Sequence, residues 1–264
     1  MNQIICGDST QELKKLSNNY IDLTVTSPPY DDLRHYNEYF FNFEVIVEEL
    51  YRVTKNGGVC VWVVNDSVID NSETLSSFRQ ALYFKQKGWN VHDTMIYAKK
   101  SPSLPDPTRY YQAFQYMFIF SKGKPKTFNP IKDRKNKYAG SEKSHYIREA
   151  DGSIHGREKN TIIPLLNTRY NVWEYATGYM LSTKDKIAFK HPAIMPEQLA
   201  KDHIISWSNE GDLVLDPFAG SGTTLKMAKL NNRNYLGIEI SEDYCDLINQ
   251  RLSKYDNEKL ISYI

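Results

Sequence analysis

The stretch that most limits what this chain can fold into lies late in it. An apolar run, Leu213-Val214-Leu215, leads into Asp216-Pro217-Phe218-Ala219-Gly220-Ser221-Gly222-Thr223-Thr224. A helical segment follows from Leu225 to Leu230, and then Tyr235-Leu236-Gly237-Ile238-Glu239-Ile240. Strand, glycine turn, helix and a second strand ending in an acid make half of a nucleotide-type α/β binding site. Gly220 and Gly222 carry no Cβ, so the backbone can turn sharply there and a ligand can approach closely. Glu239 lies about one βαβ crossover beyond Asp216, where a carboxylate can accept hydrogen bonds from two ribose hydroxyls. Taken alone, the stretch also reads as a plain tight turn. A P-loop is disfavoured, because Gly222 is followed by Thr223-Thr224 with no lysine. A dinucleotide fold usually carries its glycine turn near the start of the domain, and here it stands near the end.

A length of 264 residues suits one α/β domain with an insertion, or two small domains. No apolar run approaches the roughly 18 residues of a membrane helix. The start, Met1-Asn2-Gln3-Ile4-Ile5-Cys6-Gly7-Asp8, has no basic region followed by an apolar core, so no secretory signal is expected. Cys6, Cys60 and Cys245 are far apart and form no metal-ligand spacing or disulfide framework. The expectation is a reduced, cytoplasmic protein. The net charge is only +1, but its distribution is uneven. Residues 122–159 hold eleven Lys or Arg against five Asp or Glu, a balance of +6, which leaves −5 for the rest. Such a stretch is either a phosphate-binding surface or a solvated loop.

Elsewhere strands and helices alternate. Strands are expected at Gln3–Cys6, Ile21–Thr26, Val59–Val64, Val91–Lys99 and Ala113–Ser121. Helices are expected from Ser9-Thr10 as cap to Leu16, at Phe43–Thr54 with Asn56-Gly57-Gly58 as its end, at Phe78–Lys87 and at Pro196–Ser206. Val59-Cys60-Val61-Trp62-Val63-Val64 is a continuous apolar run suited to a strand covered on both faces. The rhythm is lost from Lys122 to about Lys186. Such alternation predicts an α/β fold, a mostly parallel central sheet with helices on both faces.

A second stretch turns this frame towards a chemistry. Ser27-Pro28-Pro29-Tyr30 follows the strand Ile21–Thr26, at the sheet edge where ligands bind in open α/β folds. The plainer reading is a proline turn with a packed tyrosine. The residue types also suit an amino group as substrate. The Ser27 hydroxyl and the Pro28 carbonyl can both accept from it, two prolines stiffen the backbone, and Tyr30 offers a face for an extruded base.

Thr26-Ser27-Pro28-Pro29-Tyr30 resembles the catalytic motif of the amino-group DNA methyltransferases, Ser/Asp/Asn-Pro-Pro-Tyr/Phe. Asp216 to Thr223 resembles their S-adenosylmethionine motif. The order, catalytic motif first and cofactor motif last, is similar to that of the β group, and the likeness covers nearly the whole chain. It implies a Rossmann-like methyltransferase fold in three parts. These are a catalytic half over 1–121, a target-recognition insertion over 122–186 and a cofactor-binding half over 187–264. It implies catalytic roles for Ser27, Pro28, Pro29 and Tyr30. Cofactor binding falls to Asp8, Thr26, Lys190, His191, Asp216, Phe218, Gly220, Ser221, Gly222, Thr223, Thr224 and Glu239. Asp8 corresponds to the acid facing the adenine, Glu239 to the ribose acid, and Lys190-His191-Pro192 to the segment over the methionine end. Arg34, Arg109, Lys132, Arg134, Lys135, Lys137 and Arg148 are expected on DNA.

Serine at position 27, rather than aspartate, goes mostly with N4-cytosine methylation in this family, and N6-adenine is the alternative. The 5-methylcytosine class does not fit, since no cysteine here follows a proline. The resemblance implies duplex DNA as substrate, base flipping and S-adenosyl-L-methionine as cofactor, with no metal. It places the enzyme in a bacterial or phage-host cytoplasm, with a restriction endonuclease or a second copy as further partners to be considered. An RNA or small-molecule methyltransferase using the same cofactor pocket and a catalytically silent DNA-binding relative remain open. No recognition sequence is legible.

Overall fold

A computed structural model describes residues 2–29, 42–100, 107–143, 146–156 and 161–255. Tyr30 and Arg34 lie outside the described residues. The chain divides into two compact units, one of residues 1–129 with 171–264 and the other of Pro130–Tyr170.

The larger unit holds an eight-stranded sheet. Its strands are β1 (Asn2–Cys6), β2 (Ile21–Thr26), β3 (Thr54–Val64), β4 (Asn90–Lys99), β5 (Phe114–Ser121), β6 (Val172–Tyr175), β7 (Leu213–Asp216) and β8 (Asn234–Glu239). Their order is β1-β8-β7-β2-β3-β5-β4-β6. Every neighbouring pair is parallel except β3 with β5 and β5 with β4. Among the described residues, six α-helices accompany them: α1 (Ser9–Lys15), α2 (Phe43–Val53), α3 (Ser76–Gln86), α4 (Glu197–Trp207), α5 (Thr223–Leu230) and α6 (Glu242–Ser253).

Side chains alternate across β3, so its run from Val59 to Val64 feeds two cores. Cys60, Trp62 and Val64 join Leu13 of α1, Ile46, Val47, Leu50 and Val53 of α2 and Phe84 of α3. Val59, Val61 and Val63 are equally buried and face the other way, where Leu199 and Ile204 of α4 and Leu225 and Ala228 of α5 are buried. Leu225 lies against Gly237 of β8, where any Cβ would clash with its Cδ1. The mostly parallel sheet with helices on both faces is as the alternation predicts.

Four local expectations change. Asp8, not Ser9 or Thr10, caps α1, its Oδ1 accepting from Thr10 N at 2.6 Å. Helix α2 ends at Thr54, and Asn56-Gly57-Gly58 belongs to β3. The Lys122 ammonium ends that helix by donating to the carbonyls of Tyr51 (2.8 Å) and Thr54 (2.9 Å). Gly58 serves close packing instead, since a Cβ there would stand 2.9 Å from the Asp22 carbonyl. The stretch without rhythm contributes β6, parallel to β4 at the sheet edge. Residues 122–129 and 171–186 of the expected insertion thus belong to the larger unit. No helix among the described residues is long and apolar enough to cross a membrane.

The smaller unit is built from nested antiparallel pairs. Lys132–Lys135 pairs with Leu166–Thr168, Glu142–Lys143 with Thr161–Ile162, and Tyr146–Arg148 with Ile154–Gly156. Between the first two pairs, Asn136 N donates to Leu165 O and Gly140 N to Ile163 O. The three pairs nest in sequence as a ribbon of antiparallel pairs, and the innermost is closed by a turn in which Asp151 Oδ1 accepts from Ser153 N at 2.9 Å.

Candidate active site

Strands β2 and β7 are parallel neighbours, so their carboxyl ends emerge side by side. Thr26 ends β2 and Asp216 ends β7, and the Thr26 hydroxyl donates to Asp216 Oδ1 at 2.7 Å. That bond joins residues 190 positions apart and sets the Ser27-Pro28-Pro29 turn directly beside the glycine turn. A second cross-link runs from the Thr224 hydroxyl to the Val25 carbonyl at 3.2 Å. Pro28 is buried, and Ser27 and Pro29 are half-buried.

The turn itself is held from four sides. Asp216 Oδ1 also accepts from Phe218 N at 3.1 Å, closing the start of the turn. Gly220 N donates to Glu239 Oε2 at 2.7 Å, and Ser241 N to Glu239 Oε1 at 3.0 Å. The Ser9 hydroxyl donates to Pro217 O, and Gly7 N to Glu239 O at 2.8 Å, which brings the Asp8 loop to the same edge. Gly222 adopts φ +76°, in the left-handed region, and begins α5. The space that a Cβ on Gly222 would need is filled by Ile248 of α6, 2.9 Å away, so here the missing side chain admits protein packing. At Gly220 the same space is closed by His191, whose Nε2 stands 3.0 Å from the Cβ position. The His191 ring rests edge-on against Tyr244 with centroids 4.6 Å apart, and Ala193 O lies 2.7 Å from its Nδ1. Lys190, by contrast, is exposed at the end of a short 3₁₀ turn, Lys186–Lys190.

Burial raises the Asp216 carboxyl to about 6, against the hydrogen bonds of Thr26, Phe218 and Thr224, and the nearby Glu239 charge adds to the rise. Carboxyls shifted by burial cluster at functional sites, which makes Asp216 a candidate.

One set of residues was not foreseen from sequence. Arg251 of α6 is fully buried and donates to Ser221 O at 2.8 Å and Thr223 Oγ1 at 3.1 Å. The same guanidinium reaches Asp185 Oδ2 at 2.7 Å and Glu197 Oε1 at 2.6 Å. Lys226 of α5 binds both carboxylates as well, at 2.8 and 2.7 Å. Burial disfavours the Asp185 carboxylate, but its bonds to Arg251, Lys226 and Tyr255 outweigh this and hold it at about 2. This two-cation, two-anion cluster ties the glycine turn to residues 183–197, the stretch that carries His191. A signal was present: Arg251 stands four residues after Leu247 and three after Ile248, a cation on an apolar helical face.

Of the other expected residues, Phe218 is half-buried with its ring 6.4 Å from that of Trp62, and Ser221, Thr223 and Thr224 are buried. Arg109 donates to the carbonyl of Asn71. Lys132, Arg134, Lys135, Lys137 and Arg148 all belong to the ribbon. His203 is a core residue, 0 % exposed and packed on Trp173, and burial presses its pKa down to about 3.

The family model described as DNA methylase of the N6/N4 type matches residues 21–250, from the start of β2 into α6. The chain belongs to the N6/N4 DNA methylase family. It is a DNA methyltransferase of that family, acting at specific sites. It is 63 % identical over 238 residues to the orphan methyltransferase M.BamHII of Bacillus amyloliquefaciens, covering 89 % of each chain. The fold is similar to the cytosine-N4-specific PvuII DNA methyltransferase, with a TM-score of 0.68, 20 % identity and coverage of 99 % and 88 %. It is also similar to M1.HpyAVI in complex with SAM, with a TM-score of 0.63, 22 % identity and coverage of 96 % and 100 %.

Proposed function

We propose that this DNA methyltransferase transfers a methyl group from S-adenosyl-L-methionine to the exocyclic N4 of a flipped cytosine in duplex DNA. The observation that carries the reading is serine at position 27, held beside the glycine turn by the Thr26–Asp216 hydrogen bond of 2.7 Å. The residues of the turn suit the cofactor. Glu239 uses two of its roughly four acceptor positions on Gly220 N and Ser241 N, which leaves acceptors for ribose hydroxyls. Asp8 and Phe218 flank the same edge for the adenine, and His191 with Lys190 stands on the side assigned to the methionine end. When bound, the cofactor supplies a methyl group on a positive sulfur.

The chain's own part is to prepare the acceptor nitrogen, whose lone pair is delocalised into the base. Ser27 Oγ and the Pro28 carbonyl accept its two hydrogens, favour a pyramidal nitrogen and stabilise the positive charge that develops there. Buried Pro28 and the Thr26–Asp216 bond keep these acceptors rigid, so alignment is built in before substrate arrives. No strong base is required, since the nitrogen's proton becomes acidic once the new bond forms. Tyr30 stacks on the flipped base. Duplex DNA is assigned to the ribbon's basic residues, together with Arg34 and Arg109.

The test is incubation with tritiated cofactor and duplex DNA, single strands or RNA, followed by mass spectrometry of the digested nucleosides. N4-methylcytosine from duplex is expected. N6-methyladenine would move the substrate to adenine, and label in RNA alone would remove the proposal. Ser27→Ala should slow transfer with cofactor binding nearly intact, whereas Asp216→Ala should weaken cofactor binding.

A further inference from the structure

Among the described residues, the ribbon of 130–170 consists of nested two-stranded antiparallel pairs with exposed apolar side chains. Tyr146 is 72 % exposed, Ile154 61 %, Ile162 62 % and Leu165 68 %. A two-stranded pair is marginal in water, and exposed apolar side chains gain by being covered. Its charge names what covers it. Residues 130–170 hold nine Lys or Arg against five Asp or Glu, +4 in a chain whose remainder sums to −3. A positive ribbon matches a polyanion, and B-DNA's major groove, about 12 Å wide, admits a two-stranded ribbon.

The side chains divide along its length. Near its open end, Lys132 and Lys135 are exposed, while Arg134 is occupied within the ribbon. The Arg134 guanidinium lies over the Tyr170 ring at 4.3 Å and its Nε donates to Thr168 O at 3.3 Å. Near the closed end, register sets Tyr146 opposite Gly156 and Arg148 opposite Ile154. Directly opposed residues share a face, as do residues two apart, so all four lie on one face. Gly156 leaves room for the Tyr146 ring, whose Cε1 is 3.8 Å from the position a Cβ would take. That face presents a guanidinium, a branched aliphatic and a phenol, the groups that pair with guanine O6 and N7, with a thymine methyl and with base edges.

We infer that this ribbon enters the major groove, with Arg148, Ile154 and Tyr146 reading bases while Lys132 and Lys135 hold phosphates. The inference rests on the proposed duplex substrate and sorts the basic residues into readers and anchors. The acids at the closed end fit this arrangement. Asp151 is engaged with Ser153 in the turn, and a carboxylate such as exposed Glu149 is tolerated among base amino groups but not among phosphates.

The test is selection of bound sequences from a random duplex pool by the full chain, with binding measured against salt. For Arg148→Ala, discrimination at one G·C position should fall on the order of 10- to 100-fold, with the salt slope unchanged. Ile154→Ala should relax one A·T position. The double variant Lys132→Ala with Lys135→Ala should select the wild-type sequence, with a log–log salt slope shallower by about 2. All four positions are exposed, so folding is preserved, and Arg148→Lys should keep partial preference for guanine. Unchanged selection by Arg148→Ala and Ile154→Ala would overturn the inference. So would a sedimentation profile in which these variants convert a dimer to a monomer, because the face would then cover a second copy. Failure of wild type to methylate the duplex it selects removes the proposed activity and leaves the ribbon standing. Failure to bind duplex removes both.

Discussion

Replacing Arg251 by Met tests whether the C-terminal helix sets the geometry of the glycine turn. Methionine fills much of the volume and removes the charge. The Ser221 carbonyl and the Thr223 hydroxyl lose a donor, and Asp185 and Glu197 keep Lys226 as their one remaining cation in the cluster. Removing one member of a buried ion cluster costs about 3–5 kcal/mol, because the remaining charges stay buried and underpaired. At about 2.1 cal/mol/K per residue, the unfolding entropy of a 264-residue chain is about 0.55 kcal/mol/K, so 4 kcal/mol lowers Tm by about 7 °C. The expected kinetic signature is a KM for the methyl donor raised at least tenfold, with kcat on saturating DNA changed much less. Arg251→Lys should recover part of both effects, since one ammonium cannot span the turn and both carboxylates. Differential scanning fluorimetry and steady-state kinetics on the same preparations supply the two readouts. A 7 °C loss with an unchanged KM would reduce Arg251 to a structural residue. No loss in either would refute the reasoning altogether.

Thr26→Val keeps shape and deletes the donor to buried Asp216. It should lower stability by about 1.5–3 kcal/mol at pH 8 in urea titrations, and less at pH 5, where the carboxyl is protonated. Asp216 itself has its folded pKa raised to about 6, so the stability that this shift gives is full below about pH 4 and lost as pH rises through 6. Asp216→Asn should therefore be more stable than wild type by up to about 3 kcal/mol at pH 8 and equal to it near pH 4, yet weakened in cofactor binding by calorimetry. His203 carries the opposite sign. Its folded pKa of about 3 lies below the ordinary 6.5, so stability is full above pH 6.5 and falls by up to about 4–5 kcal/mol as pH drops towards 3. His203→Phe should flatten that acid limb in a pH series of denaturation curves.

Much of the frame was legible because backbone chemistry is local. A turn with φ +76° at Gly222 calls for glycine, and six apolar residues in a row at Val59–Val64 suit a strand with two covered faces. The site's assembly was less legible, since its bonds join distant positions. Thr26 to Asp216 and Ser9 to Pro217 leave no periodic trace in the chain. The end of α2 is not legible because a lysine far downstream, Lys122, supplies the cap in place of the glycines. Strand β6 was hidden by its alternation of Val172, Trp173, Glu174 and Tyr175 in a stretch poor in aliphatic residues, and only its pairing with β4 defines it. The ribbon was read as lost rhythm, since its pairs are short and interrupted and its apolar residues face outward.

The sheet order has a consequence for how the protein is made. Among the described residues, strand β1 has one neighbour, β8, which ends more than 230 residues later. On the ribosome, at about 5–20 residues per second, the first strand waits on the order of 10–45 s for its partner. Strand β2, with Ser27 behind it, finds β3 early and β7 only near the end of synthesis. The nascent chain therefore emerges with β2 and β3 made and the glycine turn after β7 absent. Until the last fifth of the chain arrives, apolar Leu23 and Val25 lie along an open strand edge, a template for wrong pairing that β7 then closes.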